Sequence, residues 1–213
     1  MKSTNLQFSV SNTSDSLHSF LMGTILGDGY ITKRGALQVE HKDYAYTKWK
    51  FDFLREKGVL NPSTTISKVK RIHPKTQQES ISYRFYTIPV FKHWRTLFYL
   101  EATIPDQKAT KRVPKNIENL LVEPLSIAVW FMDDGGKGGN TPSGAIISVF
   151  KFSDMEIIAL QNCIFKNFDI CTNFHAPKSS RQLYIPKKEY EKWCNLVSSF
   201  IIPTQRYKLF ITP

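Results

Sequence analysis

The chain has 213 residues, 41% hydrophobic and 13% aromatic, enough apolar material for a core in one large domain or two intimately packed small ones. Its 29 Lys and Arg against 18 Asp and Glu leave a formal charge of +11, and these basic residues are spread through segments that read as folded, so a polyanion is the expected partner. No apolar run is long enough for a membrane-spanning helix, and Cys163, Cys171 and Cys194 lack the close pairing of a disulfide framework or a thiolate zinc site.

Residues 1–16 hold one cation, Lys2, and no arginine or apolar core, so they resemble neither a secretory signal nor a transit peptide; for an organellar protein, synthesis inside the organelle is expected. Residues 14–29 open on capping residues and place Leu17, Phe20, Leu21 and Ile25 at helical spacing, which predicts a helix. Gly23 and Gly27 lie four apart in it. Two glycines inside a helix cost about 1 kcal/mol each relative to alanine, so they imply the close approach of another backbone. Short strands follow at 36–39, 66–72 and 80–87, with a polar hairpin loop between the last two. In the return strand Ile81, Tyr83 and Phe85 share one face, and Ser82, Arg84 and Tyr86 the other. The outgoing strand puts Lys68 and Lys70 on one face and Val69 with Arg71 on the other, and its register stays open. Further along, 125–134 predicts a second apolar helix, with strands at 145–152 and 183–185.

The chain also repeats itself. Ile88-Pro89 is followed by Trp94, Leu97, Ile104-Pro105, Gln107, Lys108 and Lys111; Ile185-Pro186 is followed by Trp193, Leu196, Ile202-Pro203, Gln205, Arg206 and Lys208. In each copy the first Ile-Pro is expected to end a strand and put proline in a helix's first turn, with Trp and Leu on one helical face; the second closes that helix. Upstream of each copy lies an apolar helix ending in Asp-Gly, at Asp28-Gly29 and Asp134-Gly135. Each half therefore reads helix, strands, helix.

A single Asp-Gly pair is usually a turn. Its recurrence behind two similar helices points to chemistry. A carboxylate at a helix C-terminus opposes the macrodipole by about 0.3–1 kcal/mol, and two such carboxylates brought together repel unless cations lie between them. Carboxylate oxygens with water suit hard Mg²⁺, and a metal so held can activate water for phosphodiester cleavage.

The stretches Leu-Met-Gly-Thr-Ile-Leu-Gly-Asp-Gly at 21–29 and Ile-Ala-Val-Trp-Phe-Met-Asp-Asp-Gly at 127–135 resemble the two motifs of the LAGLIDADG homing endonucleases, single-chain type. The resemblance spans nearly the whole chain. It implies an α/β (α+β) fold: a pseudo-twofold duplicated αββαββα arrangement, residues 1–115 and 116–213, whose antiparallel sheets form a DNA-binding saddle. It implies a monomeric, Mg²⁺- (or Mn²⁺-) dependent enzyme that cuts both strands of a long asymmetric double-stranded DNA target, leaving short 3′ overhangs. Some proteins of this fold instead serve their host intron RNA as maturases, the alternative kept here, and an organellar, intron-encoded origin is expected. The last acid of each motif, Asp28 and Asp134, is implied as metal ligand; Asp133, about 100° away around the helix, is expected to be a solvated cap or a supporting residue. Lys111 and Lys208 are implied beside the two sites, where a lysine can polarise water or offset phosphorane charge. Gln38 resembles the family's water-ordering polar residue, whereas the strand near 148–150 has no evident counterpart. Val129 and Asp133 replace the glycines of the first motif, and Ala128 is expected to help that helix pack. Lys68, Lys70, Arg71, Lys75, Arg84, Lys151, Lys178 and Arg181 are candidates for phosphate or base contact.

Overall fold

The computed structural model describes residues 15–102, 109–139, 144–175 and 181–210. In chain order it contains α1 (Asp15–Leu26), β1 (Tyr30–Ile31), β2 (Leu37–His41), α2 (Tyr44–Glu56), β3 (Ser67–Ile72), β4 (Glu79–Tyr86), α3 (Lys92–Phe98), β5 (Tyr99–Leu100) and β6 (Thr110–Lys111). There follow α4 (Pro124–Asp134), β7 (Gly135–Lys137), β8 (Gly144–Ser148), α5 (Asp154–Phe168), β9 (Asn173–His175), β10 (Gln182–Pro186) and α6 (Lys187–Val197). The order αββαββα occurs twice, and the two four-stranded sheets have the same antiparallel connectivity, β1-β2-β4-β3 and β7-β8-β10-β9. Among the described residues, no helix is long and apolar enough to cross a membrane.

The middle helices, α2 and α5, escaped the reading of hydrophobic periodicity, although their caps are written locally. The Asp43 carboxylate accepts from the amides of Ala45 and Tyr46, at 2.8 and 3.3 Å. Ser153 and Glu156 form a capping box, and Glu156 also accepts from the Val113 amide at 2.8 Å. The Ile-Pro signals divide. Pro186 caps α6 as expected, but Pro89 lies three residues ahead of α3, and Pro203 opens a 3-10 turn at Pro203–Lys208 several residues beyond the end of α6. Ile104-Pro105, Gln107, Lys108 and Ser14 lie outside the described residues.

The chain divides into two compact units, one holding Asp28–Arg95 and the other His18–Gly27 with the chain from Thr96 onward. In the first, α2 covers one face of the sheet. The Phe51 ring meets Phe85 edge-on at 5.1 Å and Tyr44 meets Tyr83 at 5.0 Å, over a core that includes Val39, Leu54, Phe91 and Trp94. Gly35, at φ +92°, lets the turn approach α3: an added Cβ would lie 2.8 Å from the Lys92 amide nitrogen. In the second unit α6 packs on α4, the Trp193 and Phe131 rings meeting at 5.4 Å, so both repeat tryptophans, Trp94 and Trp193, are core residues.

In that same second unit α1 lies against α4, and the glycines of α1 make the approach possible. A Cβ on Gly23 would sit 2.3 Å from the Ser126 carbonyl oxygen and 2.7 Å from Val129 Cβ; one on Gly27 would sit 2.5 Å from Asp133 Cβ. The residues of α4 opposite the glycines are therefore the larger Val129 and Asp133. The glycines of α1 make that closeness possible.

Candidate active site and nucleic-acid face

Each motif helix is followed directly by a glycine, Gly27 after α1 and Gly135 after α4. The helical turn of α1 continues through Gly27, whose amide donates to the Gly23 carbonyl at 3.0 Å, and exposed Asp28 follows. Asp134 is the last residue of α4 and partly buried; Gly135 then starts β7, and a Cβ there would run into the Phe131 ring.

The two repeat lysines reach these helix ends. Lys111 Nζ donates to the Gly27 carbonyl at 2.7 Å. Lys208 Nζ donates to the Met132 carbonyl and, at 3.2 Å, to that of Asp133. In both copies the ammonium thus bonds the carbonyl immediately before the motif aspartate. Helix C-termini leave their last carbonyls without intrahelical partners and carry partial negative charge, so a cation there satisfies acceptors and offsets the unfavourable placement of the acid. The copies differ in depth: Lys208 is 8% exposed, whereas Lys111 is half-buried. Asp133 has its place as well, its side chain lying against Gly27.

Gln38 pairs with Tyr30 on one side and Tyr86 on the other. The matching register of the second sheet sets Ile146 between Gly136 and Tyr184. The counterpart of Gln38 is therefore Ile146, two residues ahead of 148–150, and its side chain has no hydrogen-bonding group. Arg95 was missed altogether. Its buried guanidinium donates to the Ile31 carbonyl and to the Tyr30 hydroxyl at 3.3 Å, tying down β1 just beyond Asp28-Gly29. An arginine directly beside the repeat tryptophan Trp94 was the available signal.

The register of β3 settles which cations share a face. Lys68 and Lys70 stand opposite Tyr83 and Ile81, on the side covered by α2 at its inner end, and Lys70 pairs with Glu79 at 2.5 Å. Arg71 and Arg84 lie on the other, open side with Gln38 and Tyr86. There both guanidinium groups bond Glu40, which sequence reasoning did not single out. The Arg71 guanidinium beside it, helped by Ser82 and Arg84 and opposed by partial burial, holds the Glu40 carboxyl down at about 2. Lys75 is exposed in the β3–β4 loop. In the second unit Lys151 lies 5.4 Å from the ring of exposed Phe150, and Arg181 pairs with Asp154 while lying over Phe174 at 5.4 Å. Lys178 lies outside the described residues.

A twice-built αββαββα unit with antiparallel sheets is the fold of the LAGLIDADG homing endonucleases. The LAGLIDADG DNA endonuclease family model matches residues 18–193, and the chain belongs to that family. A probable intron-encoded endonuclease of Wickerhamomyces canadensis is 30% identical over 198 residues, spanning 89% of this chain and 81% of that protein. The cytochrome b mRNA maturase bI2 of Saccharomyces cerevisiae is 24% identical over 201 residues, 90% of this chain but 46% of that protein, so the chain spans about half its length. Among solved structures, the homing endonuclease I-WcaI bound to its DNA recognition sequence matches with a TM-score of 0.79 and 27% identity, over 94% of this chain and 88% of that one. I-DmoI in complex with DNA and Ca matches with a TM-score of 0.52 and 15% identity, over 89% of this chain and 95% of that one, a likeness of fold.

Proposed function

We propose that this protein is a divalent-metal-dependent endonuclease that recognises a long asymmetric DNA target, as a monomer of two halves (1–115 and 116–213), and cuts both strands to leave short 3′ overhangs. The observation that carries the proposal is the repeated helix end: an aspartate follows or terminates each motif helix, and the carbonyl just before it is bonded by a lysine.

The residues fit a hard cation. Among the described residues, no three His, Cys, Asp or Glu side chains gather into a metal cage. Mg²⁺ does not demand one, since it is commonly held by one or two carboxylates with water and substrate phosphate oxygens. Asp28 and Asp134 supply such carboxylates, and Mg²⁺ or Mn²⁺ is the proposed cofactor. When bound, the cation makes water more acidic and neutralises charge on the leaving oxygen.

The chain's own groups do the rest. Lys111 and Lys208 fix the helix ends that present the acids and add positive charge where the phosphorane would form. Arg95 fixes the strand after Asp28. Gln38 orders solvent in the first half, while Ile146 leaves the second with a different outer shell, so the two strands are expected to be cut at unequal rates. Arg71 and Arg84, on the open face, contact the DNA together with Lys75, Lys151, Lys178 and Arg181, whereas Lys68 and Lys70 lie on the side covered by α2.

By its relatives' names the gene is proposed to lie within an intron, in an organelle. A second reading, service as a maturase to the host intron RNA, is favoured by the similarity to the bI2 maturase across 90% of this chain. One experiment separates them: incubation with an intronless target allele, with and without Mg²⁺, beside in vitro splicing of the host intron. The nuclease reading expects metal-dependent double-strand cleavage. Splicing that depends on the protein, with no cleavage, would establish the maturase reading instead.

A further inference from the structure

The open face of the first sheet carries an acid among its cations. Glu40, in β2, stands directly opposite Arg84 in β4, and Arg71 in β3 reaches it from across the next strand. Its carboxylate accepts from Arg84 Nε at 2.7 Å, from Ser82 Oγ at 2.5 Å and from Arg71 Nη1. Arg71 Nη1 also donates to Ser82 Oγ at 3.0 Å, and Arg84 Nη1 to the Tyr86 hydroxyl at 3.3 Å. Exposure rises outward through the cluster, from 16% for the Glu40 side chain to 26% for Arg84 and 51% for Arg71. The acid therefore lies at the base and the guanidinium groups at the rim.

An acid on a face meant for a polyanion weakens attraction, so its presence calls for a compensating role. Two arginines and one glutamate leave the cluster with a charge of +1, a poor way to neutralise phosphates. What the carboxylate supplies is orientation. Each arginine has five N–H donors, and the bonds to Glu40, Ser82 and Tyr86 use only part of each set. A phosphate accepts a guanidinium from many directions, whereas the paired O6 and N7 acceptors of guanine require its plane to be set.

Resting on the DNA-cutting reading above, we propose that Glu40 is a specificity-determining positioning residue, holding Arg71 and Arg84 in fixed planes so that they read guanine edges in the target's major groove. In the second sheet the same register puts Ser148 opposite Gln182, where the first has Glu40 opposite Arg84.

The test uses the full chain, its target and a panel of targets each changed at one base pair. Glu40→Gln keeps the size of the side chain but removes its charge and turns one of the two oxygens that accept from the arginines and Ser82 into a donor. Expected is a loss of discrimination of roughly 10- to 100-fold, confined to one or two guanine-bearing positions. Affinity for unrelated DNA should hold or rise, and the salt dependence should steepen by about one counterion. Arg84→Lys, at the rim, keeps the charge and loses the fork; it should lose discrimination at a subset of the same positions, and it decides the matter if E40Q does not fold. Equal shifts of target and unrelated DNA in E40Q, or an unchanged base-preference profile in both variants, would overturn the inference. A parent protein with no preference for any DNA would overturn the proposed function itself, an outcome plainly distinct from the first.

Discussion

Replacing Gly23 by alanine would set a methyl carbon 2.3 Å from the Ser126 carbonyl oxygen, 2.7 Å from Val129 Cβ and 2.9 Å from the Trp130 amide nitrogen. Two of these three atoms are backbone, so no side chain can swing away. Ordinary contact begins near 3.4 Å, and α1 and α4 must therefore separate by about 1 Å. Overpacking of this kind costs ~1–3 kcal/mol, here toward the upper end, and alanine's better helix propensity returns ~1 kcal/mol. The expected net loss is about 2 kcal/mol, which for a chain of this size lowers Tm by roughly 4–8 °C. Activity should suffer more than stability, because the same crossing sets Gly27 against Asp133, the residues that precede the motif acids; a misplacement near 1 Å can cost about 100-fold in rate. Urea melts and cleavage assays well below the melting temperature measure both. Gly58→Ala serves as the control. Its φ of +70° makes it cost about 1 kcal/mol in backbone strain, with nothing within 4 Å of the added carbon and no effect on cleavage. A G23A protein as stable and as active as the parent would show that the glycine does not set the helix approach.

Lys208→Met should both destabilise the protein, by about 1–3 kcal/mol through buried carbonyls left unsatisfied, and slow cleavage about 100-fold, whereas half-buried Lys111→Met should slow cleavage with a smaller change in denaturant midpoint. Similar midpoints for the two variants would contradict the difference in depth. Arg95→Met should lower cleavage more than DNA binding, since its bonds to Ile31 and Tyr30 position the strand beyond Asp28; equal losses in both would assign it a general structural role. The Glu40 carboxyl, lowered from 4.5 to about 2, contributes stability that is present above pH 4.5 and lost as pH falls toward 2. Between those values the parent should therefore lose more stability than E40Q in thermal melts, and parallel curves would refute the network's contribution.

Much of the fold was legible because it is written twice. The apolar helices, their Asp-Gly endings and the buried tryptophans depend on local pattern, and the structure repeats them in order. Legibility failed where a feature depends on register between distant strands. Nothing local marks Glu40 as the partner of Arg71 and Arg84, because β2 meets the β3–β4 hairpin only through the pairing of the sheet. The counterpart of Gln38 was misplaced for the same reason: the sequence pointed to the strand near 148–150, whereas the pairing of β7 with β8 leads to Ile146. Lys111 and Lys208 could be chosen by their equivalent positions, but not the carbonyls they bond, which lie far away in sequence. Arg95 was hidden by composition, being one cation among 29 Lys and Arg.

The central claim is that Asp28 and Asp134 carry the cleavage chemistry, and strand-resolved cleavage of the intronless target by Asp28→Asn and Asp134→Asn proteins tests it most directly. These substitutions remove a negative charge and leave shape and size nearly unchanged. Each should retain target binding and lose cleavage by roughly 1,000-fold or more, as expected when several kcal/mol of metal-assisted stabilisation is withdrawn. Undiminished cutting of both strands by either variant would contradict the account.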